Sequence, residues 1–287
     1  MPDRLRNSNY YDLVDVQDEL YAKSIKGENF YNLMQYINSR ENILMAYRNI
    51  KKNGGSNTPG VDGKTITFLG NLTEEEYLNT IRAKLNWFVP KPVKRVEIPK
   101  AGDPTKTRPL GIPCIVDRIV QQCFKQVLEP IMEAKFYQYS FGFRPLRSAE
   151  NALATCSHTV THAALHFVVD VDIKGFFDNV NHDKLIKQLW SLGVKDKKCL
   201  SIIKQMLKAP IVLPDKTKIY PTKGTPQGGI LSPLLANVYL NELDWWIASQ
   251  WAVFPTKHQY TVPTSMHQSL RLSSNLKEMR IVRYADD

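Results

Sequence analysis

Four aspartates are the residues of this sequence best suited to chemistry: Asp170 and Asp172 in VVDVDIKGFFD (168–178), and Asp286 and Asp287 in IVRYADD (281–287). Carboxylates are hard oxygen donors, and several gathered at one point cannot all stay ionised without a cation. An all-oxygen set suits Mg²⁺. Two such ions about 3.5–4 Å apart can activate an attacking hydroxyl and neutralise a leaving oxygen in phosphoryl transfer. Each stretch alone has a plainer reading, because acids at strand ends commonly form turns or cap helices. The two stretches together point to a metal site, with Asp172, Asp286 and Asp287 as ligands and Asp170 as the competitor.

Two short elements must bring these side chains together. Val168–Asp172 is apolar and β-branched and is predicted to be a buried strand, with Asp170 and Asp172 on one face about 7 Å apart. Ile281–Tyr284 reads as a second strand beside it. Residues 11–52 place Leu13, Val16, Leu20, Leu33, Ile37, Ile43 and Leu44 at helical spacing, giving two or three helices that end in the basic run Arg48–Lys52. NGGSNTPG (53–60) breaks that pattern, too polar and glycine-rich to be ordered by itself. Thr73-Glu74-Glu75-Glu76 opens a helix as a capping box. PVKRVEIP (92–99) alternates as a strand, turns at Ala101-Gly102-Asp103-Pro104 and returns through KTRPLGIP (106–113), a β-hairpin with Lys100 and Arg108 on its two sides.

Helices are predicted over 117–135, with Gln121, Gln122 and Lys125 facing outward, from Ser148 to about His162, from Asn181 onward, and over 230–250. Residues 211–220 form a second hairpin turning at Asp215-Lys216. Residues 252–279 have little periodicity and read as a surface insertion. His182, beside Asp183, invites a general-base role, but a cap or a buried hydrogen-bonding histidine is the better reading, since metal-activated chemistry needs no histidine.

The 287 residues allow one large or two closely packed domains, and 43% hydrophobic residues suffice for a core. A net charge of +10 favours a polyanionic partner. The four cysteines have no C-x-x-C spacing, which argues against a zinc ribbon or a disulfide framework. No apolar run approaches about 18 residues and the N-terminus has no signal-peptide core, so a cytoplasmic protein without membrane contact is expected.

The pairing of D-I-x-x-x-F-D (Asp172 to Asp178) with Y-A-D-D (Tyr284 to Asp287), and GTPQGGILSP (224–233) between them, resembles motifs A, C and B of reverse transcriptases. The wording of TRPLGIP, SFGFRP (140–145), DIKGFFDN and TPQGGILSPLLAN is most similar to group II intron-encoded reverse transcriptases, or maturases. The resemblance implies two Mg²⁺ ions held by Asp172, Asp286 and Asp287, which would activate a primer 3′-hydroxyl and stabilise leaving pyrophosphate. It implies triphosphate contacts from Lys100 and Arg108 and places Gln227 against the nascent base pair. Phe177 would exclude a ribonucleotide 2′-hydroxyl. Arg144 and Arg147 are candidates for template phosphates, although Arg144 could equally be a structural ion-pair partner.

Basic residues outside the motifs, among them Lys51, Lys52, Lys197 and Lys198, suggest an RNA-facing surface. The function expected is RNA-directed DNA synthesis from an RNA template and DNA primer with dNTPs, together with binding of group II intron RNA as a splicing cofactor. The alternatives are a retron-like or other bacterial reverse transcriptase without a maturase role, and a viral-type RNA polymerase. The fold expected is α+β, a right-hand polymerase with fingers at 1–112 and 183–219. The palm, at 113–182 and 220–287, would be an antiparallel sheet backed by helices. Because the sequence stops inside the Y-A-D-D turn, it reads as a fingers and palm portion without thumb, inactive or weakly active alone. An open sheet edge would permit a homodimer.

Overall fold

The computed structural model describes residues 12–100, 103–162, 165, 167–226 and 228–287. Two compact units emerge, one from residues 1–135 and 175–235, the other from 136–174 and 236–287.

The first unit is organised on a long helix. It begins with α1 (Leu13–Ile25), α2 (Leu33–Ile37), α3 (Arg40–Lys52), α4 (Ile66–Gly70) and α5 (Glu74–Asn86). The hairpin β1 (Val93–Lys100) and β2 (Asp103–Ile112) follows, and then α6 (Ile115–Glu133). The predicted capping box is present on α5: Thr73 Oγ1 accepts from Glu76 N, while the Glu76 carboxylate accepts from Thr73 N at 2.8 Å. Ile115, Ile119, Phe124, Val127, Leu128 and Ile131 bury the apolar face of α6.

The outward placement of Gln121 and Gln122 was not met. Both are buried, and so is Gln126. Gln126 Nε2 donates to the Asn42 carbonyl at 3.0 Å and Gln122 Nε2 to Gln126 Oε1 at 3.0 Å. Mutual hydrogen bonds offset the desolvation of these amides, so a polar layer lies where periodicity alone suggested solvent. The 53–60 loop is ordered from outside itself, because Arg118 donates to the carbonyls of Gly55 (2.8 Å) and Thr58 (2.7 Å).

The unit continues with α8 (Phe176–Asn179), α9 (His182–Ser191), α10 (Lys197–Leu207), β3 (Ile211–Val212) and β4 (Lys218–Ile219); α7 (Ala149–His162) lies in the second unit. The four strands make one sheet in the order β2-β1-β3-β4. Its β1–β3 pairing is parallel and the other two are antiparallel.

The second unit holds α7, most of α11 (Ser232–Ser249) and α12 (Pro263–Ser273). Trp251 is fully buried and stacks on His267 at 5.6 Å. Helix α12 was missed in the sequence, where polar residues hid it; Pro263 in its first turn is a start signal.

The expected antiparallel palm sheet is corrected here. The only sheet among the described residues is mixed and lies in the first unit, and the second unit contributes an isolated bridge between Ser140 and Arg283. Residues 167–173 form no strand, and Phe167, Val168 and Val169 are 97, 79 and 84% exposed. High β-propensity makes a strand only where a neighbour supplies ladder hydrogen bonds, and no described segment pairs with this one.

Candidate active site

The Y-A-D-D residues form a tight turn in the second unit. Tyr284 N donates to the Asp287 carbonyl at 2.9 Å and Asp287 N to the Tyr284 carbonyl at 3.2 Å. Ala285 adopts φ 63°, a sign of the mirror-image turns that join antiparallel strands. Asp286 thereby lies at the tip of the turn.

What fixes the turn is Arg283, a residue that sequence reasoning passed over as an ordinary strand position. The residue is 5% exposed. Nε and Nη2 make a two-pronged contact with Asp244, each bond 2.8 Å long. The remaining donors reach Asn237 Oδ1 (3.0 Å), Ser140 Oγ (2.7 Å) and the Ala285 carbonyl. A buried guanidinium with its donors satisfied in this way is stiff, and the fork geometry sets the orientation of the backbone leaving it. Backbone bonds add to this: Arg283 N donates to Tyr139 O at 3.0 Å and Phe141 N to Arg283 O at 2.8 Å. Asp244 and Asn237 sit seven residues apart on α11, two helical turns along one face, which was the available sequence signal.

Gly142 completes the seat. A Cβ there would lie 2.1 Å from Ala285 N, so only glycine lets the SFGFRP segment pass so close to the acid turn. Asn237 Nδ2 donates to the Gly142 carbonyl at 2.8 Å.

Asp172 is exposed, as are Asp170 and Asp287, while Asp286 is half-buried. Burial raises the pKa of the Asp286 carboxyl, and the negative charges of Asp287 and Asp172 raise it further. Asp286 therefore feels both of the other predicted acids. They are not gathered into a ready cage: among the described residues no group of three acidic, His or Cys side chains is arranged to hold a metal ion. The oxygen-only donors fit a hard divalent cation in type.

Residues 98–287 match the family described as reverse transcriptase (RNA-dependent DNA polymerase). The chain belongs to the reverse transcriptase family. Among curated relatives, it is 40% identical over 219 residues to the group II intron-encoded protein LtrA of Lactococcus lactis subsp. cremoris, covering 76% of this chain and 35% of that protein. It is 35% identical over 220 residues to protein YkfC of Escherichia coli K12, covering 75% and 56% respectively. A solved chain of a partial Cas6-RT-Cas1--Cas2 complex is similar at TM-score 0.47 and 25% identity, over 75% of this chain and 34% of that one. The chain thus spans about a third of LtrA and about half of YkfC. Reverse transcriptases as a family use divalent metal ions, in keeping with the donor chemistry of the acid turn.

The 93–112 hairpin, Phe177 and the GTPQGG stretch belong to the first unit. Arg108 is exposed on β2 opposite Ile98 of β1, and the Lys100 backbone pairs with Asp103; the Lys100 side chain and Gln227 lie outside the described residues. Phe177 is half-buried and meets the buried Phe176 edge to face at 5.4 Å. Lys51, Lys52, Lys197 and Lys198 are all exposed. In the second unit, Arg147 is half-buried and donates to the Gln138 carbonyl.

Arg144, a candidate for template phosphate or for an ion pair, is placed inside the second unit. It is 6% exposed, and Nη1 donates to the carbonyls of Tyr137 (2.7 Å) and Ser140 (2.8 Å). These bonds close the 137–144 turn, a structural task of another kind than the ion pair weighed in the sequence. No helix among the described residues is long and apolar enough to cross a membrane.

Proposed function

We propose that this chain carries the nucleotidyl-transfer region of a group II intron reverse transcriptase, an RNA-directed DNA polymerase that also binds its intron RNA. The observation that carries the reading is the electrostatic coupling of Asp286 to Asp287 and Asp172 at a turn fixed by Arg283. Asp172, Asp286 and Asp287 would hold two Mg²⁺ ions, which when bound activate the primer 3′-hydroxyl and neutralise the leaving pyrophosphate.

The chain's own side chains do the positioning. Arg108 and Lys100, on the two strands of the hairpin, offset the charge of the dNTP triphosphate. Phe177 fills the space a 2′-hydroxyl would need, and Gln227 lies against the new base pair. The exposed lysines on α3 and α10 approach RNA phosphates. Residues 1–112 and 183–219 act as fingers and the rest as palm.

Primer extension by the full-length protein on an RNA template tests this. It should use dNTPs in preference to rNTPs, and Asp172→Ala should abolish synthesis with the fold intact. Full activity in that variant would overturn the metal assignment, and a preference for rNTPs would favour an RNA polymerase. The similarity to intron-encoded proteins supports a second role as splicing cofactor, which does not require the carboxylates.

A further inference from the structure

His182 is the histidine that the polymerase reading leaves without a task, and its surroundings give it one. It opens α9, is 3% exposed and places Nε2 2.7 Å from the Gly224 carbonyl oxygen. A carbonyl can only accept, so Nε2 carries the hydrogen and donates. The ring's other nitrogen, Nδ1, is buried without a hydrogen-bond partner among the described residues, so the Gly224 contact is what orients it.

Gly224 lies at the root of the GTPQGG loop, where the backbone bonds back to the residues at and just after the end of the D-I-x-x-x-F-D motif. Gly224 N donates to Val180 O, and Thr225 N to Phe177 O, each at 2.7 Å. Lys223 Nζ adds a bond to Asn179 Oδ1 at 2.7 Å. The approach is close: at φ 90°, a Cβ on Gly224 would stand 3.0 Å from the carbonyl oxygens of both Phe177 and Asp178. The backbone of Phe177 is thus laced to the loop that carries Gln227, and the imidazole of His182 closes the lacing by binding the carbonyl that would otherwise be buried and unmet.

We propose that His182 is a positioning residue for sugar selection: by holding Gly224, it fixes Thr225 and through it the Phe177 backbone, so that the Phe177 ring cannot yield to a 2′-hydroxyl. This rests on the reading of Phe177 given above. Steric exclusion works only if the excluding group cannot move, and a displacement of about 1 Å near a reacting centre can change rates by orders of magnitude.

The test uses the full-length protein with His182→Gln, whose amide N–H sits where Nε2 does, and His182→Asn, which stops one carbon short. His182→Leu serves as a second loss variant should Asn fail to fold. Two quantities are measured: the ratio of kcat/KM for dNTP over rNTP, and hydrogen exchange at the amides of Gly224 and Thr225. The Asn or Leu variant should lose about tenfold in discrimination, the order expected for one buried hydrogen bond, and should exchange faster at both amides. Gln should restore both to within about threefold. Placed on Phe177→Ala, the same change should cost no further discrimination, because the two act in series. Unchanged discrimination despite faster exchange would overturn the proposal, as would Gln behaving like Asn. An unmutated protein that makes no DNA would instead overturn the polymerase reading, while the exchange data would still show whether His182 holds the loop.

Discussion

Gly142 and Ala285 set how finely the acid turn is placed. With 2.1 Å between a Cβ at 142 and Ala285 N, Gly142→Ala must push the turn and Asp286 with it. We expect primer extension to fall by about 100-fold, the usual scale for a misplacement near 1 Å. Binding of RNA, measured in parallel, should change little. Asp286 gives a second test through pH. A carboxyl with a raised native pKa keeps its proton when the unfolded chain has lost it, so native stability falls as pH rises through the carboxylate range. Asp286→Asn should therefore raise Tm in EDTA at pH 7, and the difference should vanish in acid below both pKa values. Mg²⁺ should narrow the gap by neutralising the wild-type cluster; a gap independent of pH would exclude charge crowding as its cause. The aspartates were legible from residue type and order alone. Arg283, Asp244 and Gly142 were not, because they act across 39 to 143 positions of sequence and only the folded chain brings them together.

Elements were legible where their signals are local. The capping box, the 93–112 hairpin and the 211–219 hairpin follow from caps, alternation and turn residues within a few positions. The 168–172 strand failed for the opposite reason, since a strand depends on a partner that its own residues do not specify. Burial of Gln121 also depends on a distant element: its Oε1 accepts from Ile230 N at 2.8 Å, tying α6 to the end of the GTPQGG loop. In the second unit, α11 is joined to the acid turn by the Asp244–Arg283 pair, whose side chains are 1 and 6% exposed. Removing one partner leaves a buried charge without compensation, so Asp244→Ala should cost about 3–5 kcal/mol in denaturant unfolding. A loss within the range of surface substitutions, about 0.5 kcal/mol, would mean that water reaches Arg283 and that the turn is not anchored as described.

For the whole chain, the net charge of +10 is the property that any RNA partner meets first. It is unevenly placed. Lys197 and Lys198 are exposed at the start of α10, and Lys208 and Lys218 are exposed further along the same unit, whereas Lys204 is already paired with Asp183 at 2.7 Å. Each lysine that neutralises a phosphate releases a counterion, so affinity falls with salt in proportion to the number of contacts. Replacing Lys197 and Lys198 by glutamine should flatten the dependence of log K on log salt by about 1.4–1.8 if both touch phosphate. The change should be similar for the proposed intron RNA partner and for an unrelated duplex, because phosphate contacts carry no sequence information. Discrimination between those RNAs must come from folded features and unpaired bases, and should survive the substitution. Asp172→Asn with Asp286→Asn should likewise leave RNA affinity intact or slightly raised, since it removes negative charge without touching a basic contact. Equal affinity of the unmutated protein for intron and duplex, with equal salt slopes, would leave a basic polymerase and remove the ground for a specific intron partner.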